Sequence, residues 1–268
     1  MSGWSLALVL LAHKPGVAPP PPAVCPAEAR VELNLPAWKA SLGQADAAKR
    51  RDDLLGEVKL ALDLPEPETP DGREPRLVLA SVEETAVQLE VGERADHVLE
   101  IRYRVEGAED QPTIHLVQIL RPLGARTFCA LGTALSRRDE PPNKLLGYAL
   151  AFVPLVSAGT KVIQLEHTVV APRQSETRRE YWVARGLRLH KIFDEALGRM
   201  RSAEGGATIT TVGTAALSGE FPKHIEITEV TKRGGCEVGA GDTPCEGGGG
   251  PATKTTFVYD GTKYVRKN

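Results

Sequence analysis

From residue 76 onward the apolar side chains recur at every second position, and this period of two restricts the fold more than any other feature of the chain. The clearest instance is His97 to Val105: His97, Leu99, Ile101, Tyr103 and Val105 fall on one face, Val98, Glu100, Arg102 and Arg104 on the other. Successive side chains of an extended chain point to opposite sides, so the pattern predicts a half-buried antiparallel strand. Val87, Leu89 and Val91 alternate in the same way, as do Ile163, Leu165, His167 and Val169 against Gln164, Glu166 and Thr168. Thr113 to Leu120 is largely apolar on both faces and predicts a strand in the middle of a sheet.

Further strands are predicted for Leu77 to Val82, Arg126 to Leu131, Leu145 to Val156, Arg179 to Phe193, Thr208 to Val212, His224 to Thr231 and Thr255 to Tyr259. About ten short strands separated by turn signals make a mainly β fold, an antiparallel sheet assembly built as a sandwich, an open barrel or a partial propeller-like array. A doubly wound parallel fold requires regularly intervening helices, and the pattern does not supply them.

Before residue 76 the period changes. Trp38, Leu42, Ala45, Leu55, Val58 and Leu62 recur near helical spacing from Leu35 onward, which predicts one N-terminal helical region. Its basic triplet Lys49-Arg50-Arg51 is compensated by Asp52, Asp53 and Glu57, and reads as a solvated face rather than an anion site. Pro65, Pro67, Pro70 and Pro75, with Asp71-Gly72 among them, form a linker. The chain therefore divides into a signal-like segment and tether (1–24), a helical segment with its linker (25–75), and an antiparallel β domain (76–268).

The run from Trp4 to Ala12 is apolar but too short to cross a bilayer, and it has the size of a signal-peptide core. Pro19-Pro20-Pro21-Pro22 follows as an extended polyproline tether. The expectation is an exported protein, periplasmic or extracellular, with no integral membrane segment in the mature chain; the alternative is a cytoplasmic protein whose N-terminal run is a buried element.

Four cysteines, Cys25, Cys129, Cys236 and Cys245, are widely spread and form no C-x-x-C pair, so a zinc site lacks its usual half-site. Glycines on both sides of Cys236 and Cys245 would leave that loop floppy without a clip, so these two are the first candidate disulfide. Cys25 with Cys129 is then the second, fastening the N-terminal segment to the sheet. The alternative is four buried thiols in a reducing compartment.

Phe257-Val258-Tyr259-Asp260-Gly261-Thr262-Lys263-Tyr264 is a compact hairpin signal, because Asp-Gly readily supplies positive φ. This stretch resembles the aromatic-Asp-Gly-x-x-Tyr hairpins of exported bacterial β-sheet and propeller-blade-like proteins. The resemblance implies an extracytoplasmic β fold and no particular activity. A full propeller would need repeated blades, and the one internal echo is Val87-Gln88-Leu89-Glu90 with Ile163-Gln164-Leu165-Glu166.

The 33 basic and 35 acidic residues leave a net charge of -2, which argues against a nucleic-acid partner. The chain carries no G-x-S-x-G, S-x-x-K, P-loop, H-E-x-x-H or G-x-G-x-x-G motif, and no catalytic residue, metal ligand or cofactor is predicted. His97 and His167 lie on apolar strand faces and read as hydrogen-bonded core or sheet-edge histidines rather than metal ligands. Glu83-Glu84 and Asp139-Glu140 read as solvated turn tips.

One local cluster has binding chemistry. Arg178, Arg179, Tyr181, Trp182, Arg185 and Arg188 could form an arginine-aromatic patch for an acidic partner, against the alternative of an edge strand protected by charge. The functional expectation is an exported, non-catalytic binding or scaffolding protein of a bacterial cell envelope, whose partner is an envelope protein or an acidic ligand. The alternatives are a hydrolase whose groups converge only in three dimensions, and a carrier of a small hydrophobic ligand within a closed sheet.

Overall fold

In a computed structural model, residues 24–42, 77–91, 94–105, 114–138, 144–202, 208–234 and 250–267 are described. The signal-like run, the proline linker, Asp139-Glu140, and Cys236 with Cys245 lie outside them. The predicted helix is described only over Leu35–Leu42 (α1), preceded by a 3-10 turn at Ala27–Ala29 and a short strand β1, Arg30–Glu32.

Twelve further strands follow: β2 (Leu77–Val87), β3 (Asp96–Val105), β4 (Ile114–Pro122), β5 (Thr127–Arg138), β6 (Lys144–Val153), β7 (Val162–Ala171), β8 (Gln174–Arg185), β9 (Arg188–Ser202), β10 (Thr208–Ser218), β11 (His224–Gly234), β12 (Thr253–Tyr259) and β13 (Tyr264–Arg266). They form two antiparallel sheets. One has five strands in the order β1-β5-β4-β3-β2, the other eight in the order β13-β12-β11-β10-β9-β8-β7-β6. From β2 to β13 the chain is thus a meander that breaks once, between β5 and β6. No barrel closes.

The alternation read from the sequence decides which residues enter which core. Leu99, Ile101 and Tyr103 of β3 face outward from the five-stranded sheet, with Leu116, Leu120 and Phe128. Val31, Leu33 and Leu35 of the N-terminal segment cover this face. The disulfide Cys25–Cys129 locks that segment to β5, beside the pairing of Val31 with Phe128. The opposite face packs on the eight-stranded sheet, where Val98, Val117, Ile119 and Leu135 meet Ile163, Leu165 and Ala184. β4 is paired on both sides and almost wholly buried, as its unbroken apolar run predicts.

A third core reveals the curvature of the larger sheet. The rings of Phe193 on β9 and Phe257 on β12 are 5.2 Å apart. Two strands separate β9 from β12, so a flat sheet would hold them about 14 Å apart. The sheet must curl to bring them together, and the space within the curl is filled by Tyr181, Val183, Ile225, Ile227 and Tyr264. The backbone N–H of Lys223, in the β10–β11 connection, donates to the Leu155 carbonyl in the β6–β7 connection at 2.9 Å, tying the curled parts together.

Several boundaries differ from the sequence reading. Arg179 to Phe193 is not one strand. It is the hairpin of β8 and β9, turning at Gly186, whose φ of 58° suits glycine at the first loop position. Glu83 and Glu84 lie within β2 rather than in a turn, and Glu84 pairs with His97 across the strand pair. Val91 sits in a turn after β2, not on a strand. His167 is buried, as its apolar face predicts.

Candidate functional site

The β7–β8–β9 hairpins carry most of the side chains named as a site. Pro172-Arg173 joins β7 to β8, and Arg173 adopts φ 64°. Pairing then sets Val169 opposite Glu176 and Glu176 opposite Arg199; one row further out, Ala171 faces Gln174 and Gln174 faces Arg201. Directly opposed residues share a face. Three strands therefore build a shallow depression of about 580 Å³, lined by Val169, Ala171, Gln174, Arg178, Arg199 and Arg201 among others.

A chain of alternating charge runs back from it. Arg199 Nε donates to Glu176 Oε2 at 3.2 Å, and Arg178 Nη1 donates to Glu176 Oε1 at 2.5 Å. Arg178 also donates from Nε and Nη2 to Asp194 Oδ1 at 2.9 and 2.6 Å. Lys191 Nζ bridges Asp194 at 2.9 Å and Glu180 at 2.8 Å, and Trp182 Nε1 donates to Glu180 at 2.9 Å. The Lys191 ammonium lies 4.9 Å from the Trp182 ring centroid. Burial works against the charges of Arg178 and Asp194, but their partners outweigh it: Arg178 is held above its ordinary pKa and Asp194 below its own.

Strand alternation divides the arginine-aromatic cluster between two faces. Arg178 and Trp182 lie on the face just described. Arg179 lies on the other, donating from Nε and Nη2 to Glu166 Oε2 at 3.0 and 2.5 Å and from Nη1 to the Ala215 carbonyl at 3.3 Å. It lines a second open depression of about 640 Å³ with Thr177, Gly198 and Gly213. Tyr181 is fully buried in the core of the curl, its hydroxyl donating to Gln164 at 3.1 Å. Arg185 donates to the Tyr259 hydroxyl, and Arg188 stands exposed at the far end of the hairpin, beyond Gly186. The six residues thus do not form one surface.

Arg199 and Arg201 were not among the sequence candidates, yet they are the cations that border the depression with Arg178. Arg199 is 64% exposed. The signal for them was present: Gly186 marks the turn, and once β9 is extended past Phe193, Arg199 and Arg201 fall at alternate positions of one face.

The most deeply buried ion pair has a structural task. Arg121 donates from Nε to Asp96 Oδ1 at 2.8 Å, from Nη2 to Asp96 Oδ2 at 3.1 Å, from Nη1 to Glu90 Oε2 at 2.9 Å, and also to the Gly186 carbonyl. It clasps the five-stranded sheet to the β8–β9 turn of the other sheet. Among the described residues no helix is long and apolar enough to cross a membrane, and no group of three or more His, Cys, Asp and Glu side chains forms a metal site. No protein-family model matches the chain, and no curated protein or solved structure shows a significant match.

Proposed function

We propose that this is an exported, non-catalytic binding or scaffolding protein of a bacterial cell envelope, and that it meets an acidic partner at the depression bordered by Arg178, Arg199 and Arg201. The observation that carries the reading is the solvent access of Arg199 and Arg201 on a rigid sheet face. Strands hold such groups more accurately than loops do, and guanidinium forks match carboxylates geometrically. The Cys25–Cys129 disulfide supports an oxidising compartment. The space within the curled sheet is filled by Phe193, Phe257 and Tyr264, which favours a scaffold over a carrier holding its ligand there.

Cell fractionation combined with photo-crosslinking tests this. A photoreactive residue replacing Gln174 should trap an envelope partner, one replacing Arg188 should not, and the protein should fractionate outside the cytoplasm. A cytoplasmic protein with reduced Cys25 and Cys129, or equal crosslinking from both positions, would overturn the reading.

A further inference from the structure

We infer that the partner group seated at this depression is an extended acidic polypeptide segment with carboxylates on alternate residues; this rests on the binding function proposed above. The spacing of the cations carries the inference. Arg199 and Arg201 are two residues apart on one strand, so their Cα atoms stand about 7 Å apart, and Arg178 lies on the neighbouring strand β8 opposite Ala196, two rows back, so it stands roughly 8–9 Å from Arg199. Two of these cations thus repeat along the strand direction at the interval of an extended chain. Carboxylates at alternate positions of an extended chain repeat at about the same 7 Å interval and can engage them in register.

The molecule already contains one such contact. Glu176, itself on an extended strand, sits between Arg178 and Arg199 with one carboxylate oxygen toward each. Arg201, one row further out opposite Gln174, has no ion pair among the described residues. An incoming chain whose first carboxylate takes Arg201 places its next one near Arg199, where it competes with Glu176. The lining also includes Val169 and Ala171, which suit the small side chains between the carboxylates.

The test uses the full chain, titrated by calorimetry with a peptide of alternating Glu and Ser. Parallel titrations use a peptide of the same composition built of Glu-Glu-Ser-Ser repeats, which has no two Glu residues at alternate positions, inorganic phosphate, and vesicles containing phosphatidylglycerol. The alternating peptide should bind most tightly and weaken as salt rises. Arg201→Glu should weaken it about tenfold or more, Arg188→Glu should leave it unchanged, and Glu176→Gln should tighten it by freeing the Arg199 guanidinium, Arg178 remaining paired with Asp194. Melting curves confirm that each variant is folded, and Arg199→Gln replaces Arg201→Glu if that variant is not.

Equal affinity for the Glu-Glu-Ser-Ser peptide, or equal loss in Arg188→Glu, overturns the inference. Binding of phosphate or vesicles in place of the peptide, abolished by Arg201→Glu, also overturns it while sustaining the acidic-ligand reading. If no probe binds, the peptide assignment fails, and crosslinking from position 174 separately decides the binding function.

Discussion

Gly213 of β10 lies against the Leu197 carbonyl of β9 so closely that a Cβ at position 213 would stand 2.5 Å from that oxygen. The pairing of β9 with β10 runs from Ser202 to Gly198 and stops there, and Gly213 is the first residue beyond it. The close approach therefore lies where the β9–β10 pairing ends.

Gly213→Ala should destabilise the fold by about 1–3 kcal/mol, because the obstructing atom is backbone and cannot rotate away. Urea unfolding of the variant should show a lower midpoint with an unchanged slope. Gly147→Ala, on β6, is the contrasting variant: a Cβ there meets nothing within 4 Å. A midpoint for Gly213→Ala equal to that of Gly147→Ala would refute the close approach.

Reducing Cys25–Cys129 should cost about 2–5 kcal/mol, since the bond closes a loop spanning 104 residues in sequence. The three-residue pairing of β1 with β5 is then the main backbone link between the N-terminal segment and the sheet. Hydrogen exchange after reduction should rise first at Val31 and Leu33, and the face carrying Leu99, Ile101 and Tyr103 should begin to bind a hydrophobic dye. Cys25→Ser should behave as the reduced protein does.

Arg121→Ala should cost about 3–5 kcal/mol, because it leaves the Asp96 carboxylate buried without its counter-charge. Arg178→Ala, whose partners are partly solvated, should cost much less. Thermal melts of the two variants side by side give the ranking, and a reversed order would contradict the assignment of Arg121 as the inter-sheet clasp.

Alkaline pH should weaken the protein through Tyr148. Burial first, then the Glu100 carboxylate, push its hydroxyl up to about 12 against the opposing effect of Arg102, whose guanidinium lies 5.6 Å from the ring centroid. The unfolded chain titrates near its ordinary value of about 10, so the stabilising contribution is complete below that pH and is lost as pH rises through the folded value. Tyr148→Phe should flatten the stability loss between these limits, measured by urea unfolding across the range. Tyr181 and Tyr264 are also raised, chiefly by burial, so a spectroscopic titration should show late-ionising tyrosines as well.

The period of two in His97 to Val105 was enough to place Leu99, Ile101 and Tyr103 together, because a strand has only two faces and alternation assigns each residue to one. The same logic identified β4 as central from its unbroken apolar run, and Asp260-Gly261 as the turn between β12 and β13. These are local properties of an extended chain. The Gly186 turn was equally local, but the apolar residues on both sides of it continued the strand pattern and concealed it.

What the amino-acid sequence determined by itself was the class of the fold, the faces of its strands, and Cys25 with Cys129 as one of two candidate disulfides. Tertiary structure alone decided that Arg178 meets Asp194 while Arg179 meets Glu166, and that Phe193 meets Phe257 within the curl of the sheet. It also decided that Arg199 and Arg201, rather than Arg185 and Arg188, border the depression with Arg178. The reason is physical: alternation fixes the side of the strand on which a residue lies, whereas its neighbours depend on register and curvature, which come from pairing with strands distant in the chain.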